Sequence, residues 1–287
     1  MTVAPPPIVV ACGAATDPGL RRALNEDSHI AAAPVFLVAD GMGGHHAGEV
    51  ASATVIDEFA QLVGRPSVAL AEVRATLGRA RQRVHALPAG DGASAGTTLS
   101  GVVVCDVDGT AYWLTLNVGD SRTYRFFEGE LEQLSVDHTV VQELVAAGTL
   151  TVAAARTDSR RNVITRAIGA DSESETDYWL VPAEQGDRIL VCSDGLPDEL
   201  EDDAIAAILG SVADPQEAAT RLVHEAMLKG GRDNITAVVA DAVTVHGSDG
   251  SRALDRTVPP AAPIEPPTDD DLDEDTRPRA MTGGARR

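Results

Sequence analysis

Three short apolar runs in this chain each lead into an aspartate. Residues 35–39 run into Asp40, residues 112–118 into Asp120 across a single glycine, and residues 188–192 into Asp194 across a single serine. Runs of this length and β-branched content read as buried strands. A fourth acid, Asp233, stands on the opposite flank of such a run, just before residues 235–239. If these strands share a sheet or face one another, the four carboxylates meet at one rim. So many like charges are tolerable only with something positive between them.

A further strand is expected at 99–104, and helices at 47–63, 67–87, 139–147, 202–209 and 214–228. The last is marked by Asp214 as N-cap, Pro215 at the first helical position, Glu217 two residues on, and Gly230-Gly231 beyond its end. Strands come in pairs and helices in groups, without a strict βαβ alternation. That order favours an antiparallel α+β layering over a doubly wound parallel sheet.

The chain has 287 residues, 44% of them hydrophobic and 23% charged, which suits a globular body with a sizeable core. Its 23 Lys and Arg against 44 Asp and Glu leave a net charge of −21, which excludes an unaided polyanion binder. Aromatic residues are only 3%, too few for base-stacking platforms, so no nucleic-acid partner is expected. Cys12, Cys105 and Cys192 are odd in number and lack CxxC spacing, which fits neither a disulfide framework nor a thiolate zinc site. No run approaches the ~20 apolar residues of a membrane span, and residues 8–15 are too short and broken for a signal peptide. A cytoplasmic protein with no membrane partner is the expectation. From His246 onward the sequence is rich in proline and acid and lacks Phe, Trp and Tyr, so residues 246–287 are expected to form a disordered tail.

Asp-Gly is first of all a turn dipeptide. Asp91-Gly92, Asp108-Gly109 and Asp249-Gly250 read as turns. Asp40-Gly41 and Asp194-Gly195 differ because a buried-type strand runs into each. Ligation by oxygen alone selects hard divalent ions, Mg²⁺ or Mn²⁺. The concrete hypothesis is a binuclear site, with two ions roughly 3.5–4 Å apart sharing a water and clamping a phosphoryl group.

With these residues in view, the chain resembles the metal-dependent serine/threonine protein phosphatases of type 2C, in their bacterial branch. The resemblance rests on the stretches at 21–28 (RRALNEDS), 39–52 (ADGMGGHHAGEVAS), 96–99 (GTTL), 117–122 (NVGDSR), 160–169 (RRNVITRAIG), 192–196 (CSDGL) and 230–239 (GGRDNITAVV). It implies two facing antiparallel sheets flanked by helices, an α-β-β-α sandwich, in a catalytic domain over 1–245 with a small flap at about 139–167. It also implies that Asp40 bridges two Mn²⁺ or Mg²⁺ ions, that the Gly41 carbonyl ligates the second, and that Asp194 and Asp233 complete the first. Arg22 would hold the substrate phosphate, with Glu26 and Asp27 in support. Asp120, with Asp194, would bind a third ion, and Asn162 is a possible contributor.

The implied activity is hydrolysis of phosphoserine and phosphothreonine in proteins by a monomer opposing a bacterial Ser/Thr kinase. The alternative is an inactive pseudophosphatase that serves as a binding scaffold. Three positions depart from the pattern. Met42 stands where many eukaryotic members have a histidine, leaving metal-bound water as the proton donor, with His45 the nearest alternative. Asp158-Ser159 replaces a common His-Pro, and Arg232 replaces a proline or small residue.

Overall fold

The computed structural model describes residues 5–43, 46–87, 95–169 and 175–246. The chain opens with β1 (Ile8–Asp17), β2 (Asp27–Ala32) and β3 (Val35–Met42), followed by helices α1 (Ala47–Ala60) and α2 (Leu70–His85). Strands β4 (Gly96–Thr97), β5 (Leu99–Val107), β6 (Thr110–Val118), β7 (Arg122–Phe127) and β8 (Glu130–Gln133) come next, then the short helices α3 (Val140–Ala146) and α4 (Val152–Ala155). The body closes with β9 (Asp177–Pro182), β10 (Arg188–Cys192), α5 (Asp202–Ser211), α6 (Pro215–Lys229) and β11 (Ile235–Val245). The expected tail, apart from His246, lies outside the described residues, as does His45.

One sheet has the order β1-β11-β10-β7-β8 and the other β2-β3-β5-β6-β9, with β4 paired to β3. Every pairing is antiparallel. The expected α-β-β-α sandwich is borne out. Successive residues of the central strands serve two different cores, as a period of two requires. In β3, Val35, Leu37 and Ala39 pack with Val55 and Phe59 of α1 and Leu77 of α2. Phe36 and Val38 point the other way, into an inter-sheet core with Trp113, Ile189 and Val238. On the far side Leu190 and Val239 meet Ile205 of α5 and Leu222 of α6. Side chains of this kind contribute roughly 1.5–3 kcal/mol each when fully buried.

Helix α6 begins as expected, with the Asp214 side chain accepting from the Glu217 amide at 2.8 Å and Pro215 in the first turn. One strand runs further than the sequence suggests. Asp40 lies inside β3, not at its end, because Gly41 and Met42 go on to pair with Thr97 and Gly96 of β4. The excursion expected at about 139–167 carries α3 and α4, and its ends are tied by a bridge between Thr139 and Ile164.

Candidate active site

Antiparallel pairing gathers the strand-end acids at one edge of the sandwich. Cys192 at the end of β10 pairs with Ala237 of β11 on one side and Arg122 of β7 on the other. Asp194 therefore emerges beside Asp233, which precedes β11. Asp120 sits in the link between β6 and β7, where the chain crosses from one sheet to the other. In the facing sheet Asp27 and Asp40 are register partners across β2 and β3.

Hydroxyl groups fasten these acids from beneath. Asp27 Oδ2 accepts from Ser193 Oγ at 2.7 Å and Thr236 Oγ1 at 2.6 Å, so this carboxylate of one sheet is held by two side chains of the other. The Asp40 amide donates to Thr98 Oγ1 at 3.0 Å, and Thr97 Oγ1 donates to the Asp40 carbonyl at 2.9 Å. Thr98 is in turn paired with Ser121 at 2.7 Å. Two glycines let backbone close in. A Cβ on Gly41 would lie 2.3 Å from the Gly48 carbonyl oxygen, and one on Gly195 would lie 2.1 Å from that of Asn234.

Burial, followed by the charges of Asp27, Asp194, Asp120 and Asp233, pushes the Asp40 carboxyl well above its ordinary range. Burial and the charges of Asp120, Asp198 and Asp233 do the same to Asp194. Burial lifts Asp27 to about 6 and Asp120 to about 7, the latter with help from Asp137. Arg22 faces this cluster. Its Nη2 donates to Asp233 Oδ2 at 2.6 Å, and that bond and the surrounding acids hold its own pKa up.

The donor set fits divalent metal. Asp27 Oδ1 and Asp120 Oδ1 are buried acceptors without a hydrogen-bond partner, and the raised carboxyls need either protons or cations. Among the described residues no three His, Cys, Asp or Glu side chains close around a common point. Mg²⁺ keeps several waters in its sites, so carboxylates around it need not close on one another.

Gly41 is buried, and its amide donates to the Glu26 carbonyl at 3.2 Å. Glu26 is anchored through its own amide to Asn234 Oδ1 at 2.8 Å, while its side chain lies against Gly48 at the start of α1. Asn162 is exposed and reaches Asp198 Oδ2 at 3.4 Å across a cleft of about 520 Å³, which is also lined by Asp120, Asp194 and Val141. Asp198 was not singled out in the sequence. Its position four residues after Asp194, in one turn where its amide donates to the Asp194 carbonyl at 3.0 Å, is the signal that could have found it. Ser193 and Thr236 were also passed over, because hydroxyls flanking a strand carry no pattern of their own.

Facing sheets with an acid-lined cleft at one edge, and Arg22 bonded to Asp233 beside it, form the kind of site in which oxygen donors suit a divalent ion and a guanidinium suits a phosphate. Residues 21–230 match the family described as protein phosphatase 2C, and Asp233 lies just beyond that match. The serine/threonine protein phosphatase PstP of Mycobacterium tuberculosis is 39% identical over 240 residues, covering 82% of this chain and 46% of the relative. This chain thus spans about half the length of that relative. The serine/threonine phosphatase stp of Listeria monocytogenes is 32% identical over 250 residues, covering 82% of this chain and 98% of the relative. A crystal structure of the catalytic domain of PstP in complex with two manganese ions superposes with a TM-score of 0.74 at 39% identity, covering 83% of this chain and all of that one. The chain belongs to the protein phosphatase 2C family.

Proposed function

We propose that this protein removes phosphate from serine and threonine side chains of proteins in a reaction that depends on Mn²⁺ or Mg²⁺. The observation that carries this reading is the convergence of Asp27, Asp40, Asp120, Asp194 and Asp233 on one rim, with Arg22 bonded to Asp233. Asp40 and the Gly41 carbonyl, with Asp194 and Asp233, would hold two ions, and Asp120 with Asp194 a third, to which Asn162 would contribute. Bound there, such ions would lower the pKa of a water and neutralise the oxygens of a phosphoryl group.

The protein's own residues do the rest. Arg22, half-exposed at the rim, swings from Asp233 to a phosphate, where its planar fork matches two oxygens. Asp27, at the start of β2, and Glu26, just before it, brace this end of the site. Met42 has no proton to give the leaving oxygen. The inactive-scaffold alternative has no degenerate ligand position to favour it.

Residues 1–245 would form the catalytic domain, and residues 139–167 the flap that borders the cleft. Cys12, Cys105 and Cys192 are all unpaired, which supports a reducing cytoplasm where a Ser/Thr kinase would be opposed. No helix among the described residues is long and apolar enough to cross a membrane. The test is hydrolysis of a phosphothreonine peptide by the purified chain, with Mn²⁺ or with EDTA. Turnover with Mn²⁺ that EDTA abolishes supports the reading, and equal rates in both would refute it.

A further inference from the structure

Glu199 has a side chain only 2% exposed, yet it belongs to no helix or strand. Both of its oxygens are taken by one residue. Oε1 accepts from the Arg232 amide at 3.0 Å and from Arg232 Nε at 2.9 Å, and Oε2 accepts from Arg232 Nη2 at 2.9 Å. The same Nη2 reaches the Asp198 carbonyl at 3.4 Å. Gly230 makes room for the carboxylate, since a Cβ there would lie 2.9 Å from Glu199 Oε2.

The clamp joins two segments that each carry a rim acid. Glu199 ends the turn that starts at Asp194, where the Asp198 amide donates to the Asp194 carbonyl at 3.0 Å and the Glu199 amide to that of Leu196 at 3.2 Å. Arg232 precedes Asp233, in the loop whose Gly231 carbonyl accepts from Leu20 at 2.7 Å. A proline or small residue at 232 could form no such bridge. With both oxygens occupied, Glu199 is not itself a ligand, and Arg232 offsets a negative charge that would otherwise add to Asp194 and Asp198.

We infer that the Glu199–Arg232 clamp is a positioning device that fixes the spacing of Asp194 and Asp233 and so sets how tightly the cleft holds Mn²⁺. This rests on the metal-dependent reading above. Partners that orient metal ligands from behind are worth roughly 10- to 100-fold in metal affinity. Two bonds of the clamp come from a guanidinium fork, which lysine cannot reproduce.

The test is calorimetric titration of Mn²⁺ into the full chain, paired with thermal melting in EDTA. Arg232→Ala should weaken Mn²⁺ binding about tenfold, and it should lower the melting temperature by stranding a buried charge. The double variant E199Q/R232A removes that charge. Its melting temperature should recover while its Mn²⁺ affinity stays weak, and Arg232→Lys should restore affinity only in part. If affinity recovers along with stability in the double variant, or if Arg232→Ala binds Mn²⁺ like the parent, the clamp is merely structural and the inference falls. A parent chain that binds no Mn²⁺ would overturn the metal-dependent reading itself, which the two preceding outcomes leave standing.

Discussion

Asp27 and Asp40 stand directly opposite each other on neighbouring antiparallel strands. Like charges in that relation destabilise a sheet. Here one of the pair is pinned by Ser193 and Thr236 of the other sheet, so the two cannot swing apart without breaking the bonds that tie the sheets together. Fold stability and the demand for a cation are set by the same residues.

A pH dependence follows with a definite sign. Asp27 at about 6 and Asp120 at about 7 hold protons that the unfolded chain, with carboxyls near 3.9, has already lost. Their contribution is full below about pH 3.9 and is lost as pH rises through those two values. The metal-free protein should therefore lose stability from this source between about pH 4 and 7. Mn²⁺ replaces the protons, so the rise in melting temperature it causes should grow over the same range, with proton release on binding. Melting with Mn²⁺ and with EDTA at several pH values checks this, and a Mn²⁺ effect that shrinks with pH would contradict it.

Arg22→Ala should raise KM for a phosphopeptide about tenfold or more while lowering kcat less, because in the proposed role the guanidinium would grip phosphate in the ground state. Steady-state kinetics at saturating Mn²⁺ decide it. An unchanged KM would remove Arg22 from the site.

His138 supports the Asp120 link from the base of the flap. Its Nδ1 accepts from the Gly119 amide at 3.1 Å, so its Nε2 carries the hydrogen that meets Asp177 Oδ2 at 3.0 Å. His138→Ala leaves the buried Gly119 amide unmet, while the third-exposed Asp177 keeps Arg166 at 3.2 Å, and should cost about 1–3 kcal/mol of stability. Urea unfolding measures the loss, and a change below about 0.5 kcal/mol would show that water replaces the imidazole without penalty.

Which strands were legible in the sequence follows from where they lie. β3, β5, β6, β10 and β11 are central, buried on both faces, and spell continuous apolar runs. β1, β2, β8 and β9 are the sheet edges; β8 has exposed Glu130 and Gln133 and carries no such run, whereas β1 (IVVAC) and β9 (YWLV) do carry apolar runs, on half-exposed edges, that were passed over. β7 is central but reads RTYRFF, with Arg122 and Arg125 committed to Asp137 and Asp187. The acids at strand ends were visible because an aspartate after an apolar run stands out. Their underlay was not visible, because the contact of Asp27 with Ser193 and Thr236 joins residues more than 160 positions apart. Glu199 was hidden for the same reason, since only the fold brings it to Arg232.

Rim acids that act together to hold metal for phosphate hydrolysis should lose ion and activity in step. The most direct test counts Mn²⁺ bound per chain by calorimetry and measures hydrolysis of a phosphothreonine peptide in the same samples of the parent and of Asp194→Asn. The parent should bind at least two ions and turn over, and the variant should show a lost or greatly weakened ion and a collapse of turnover with the fold intact. An Asp194→Asn protein that binds Mn²⁺ and turns over like the parent would contradict that expectation.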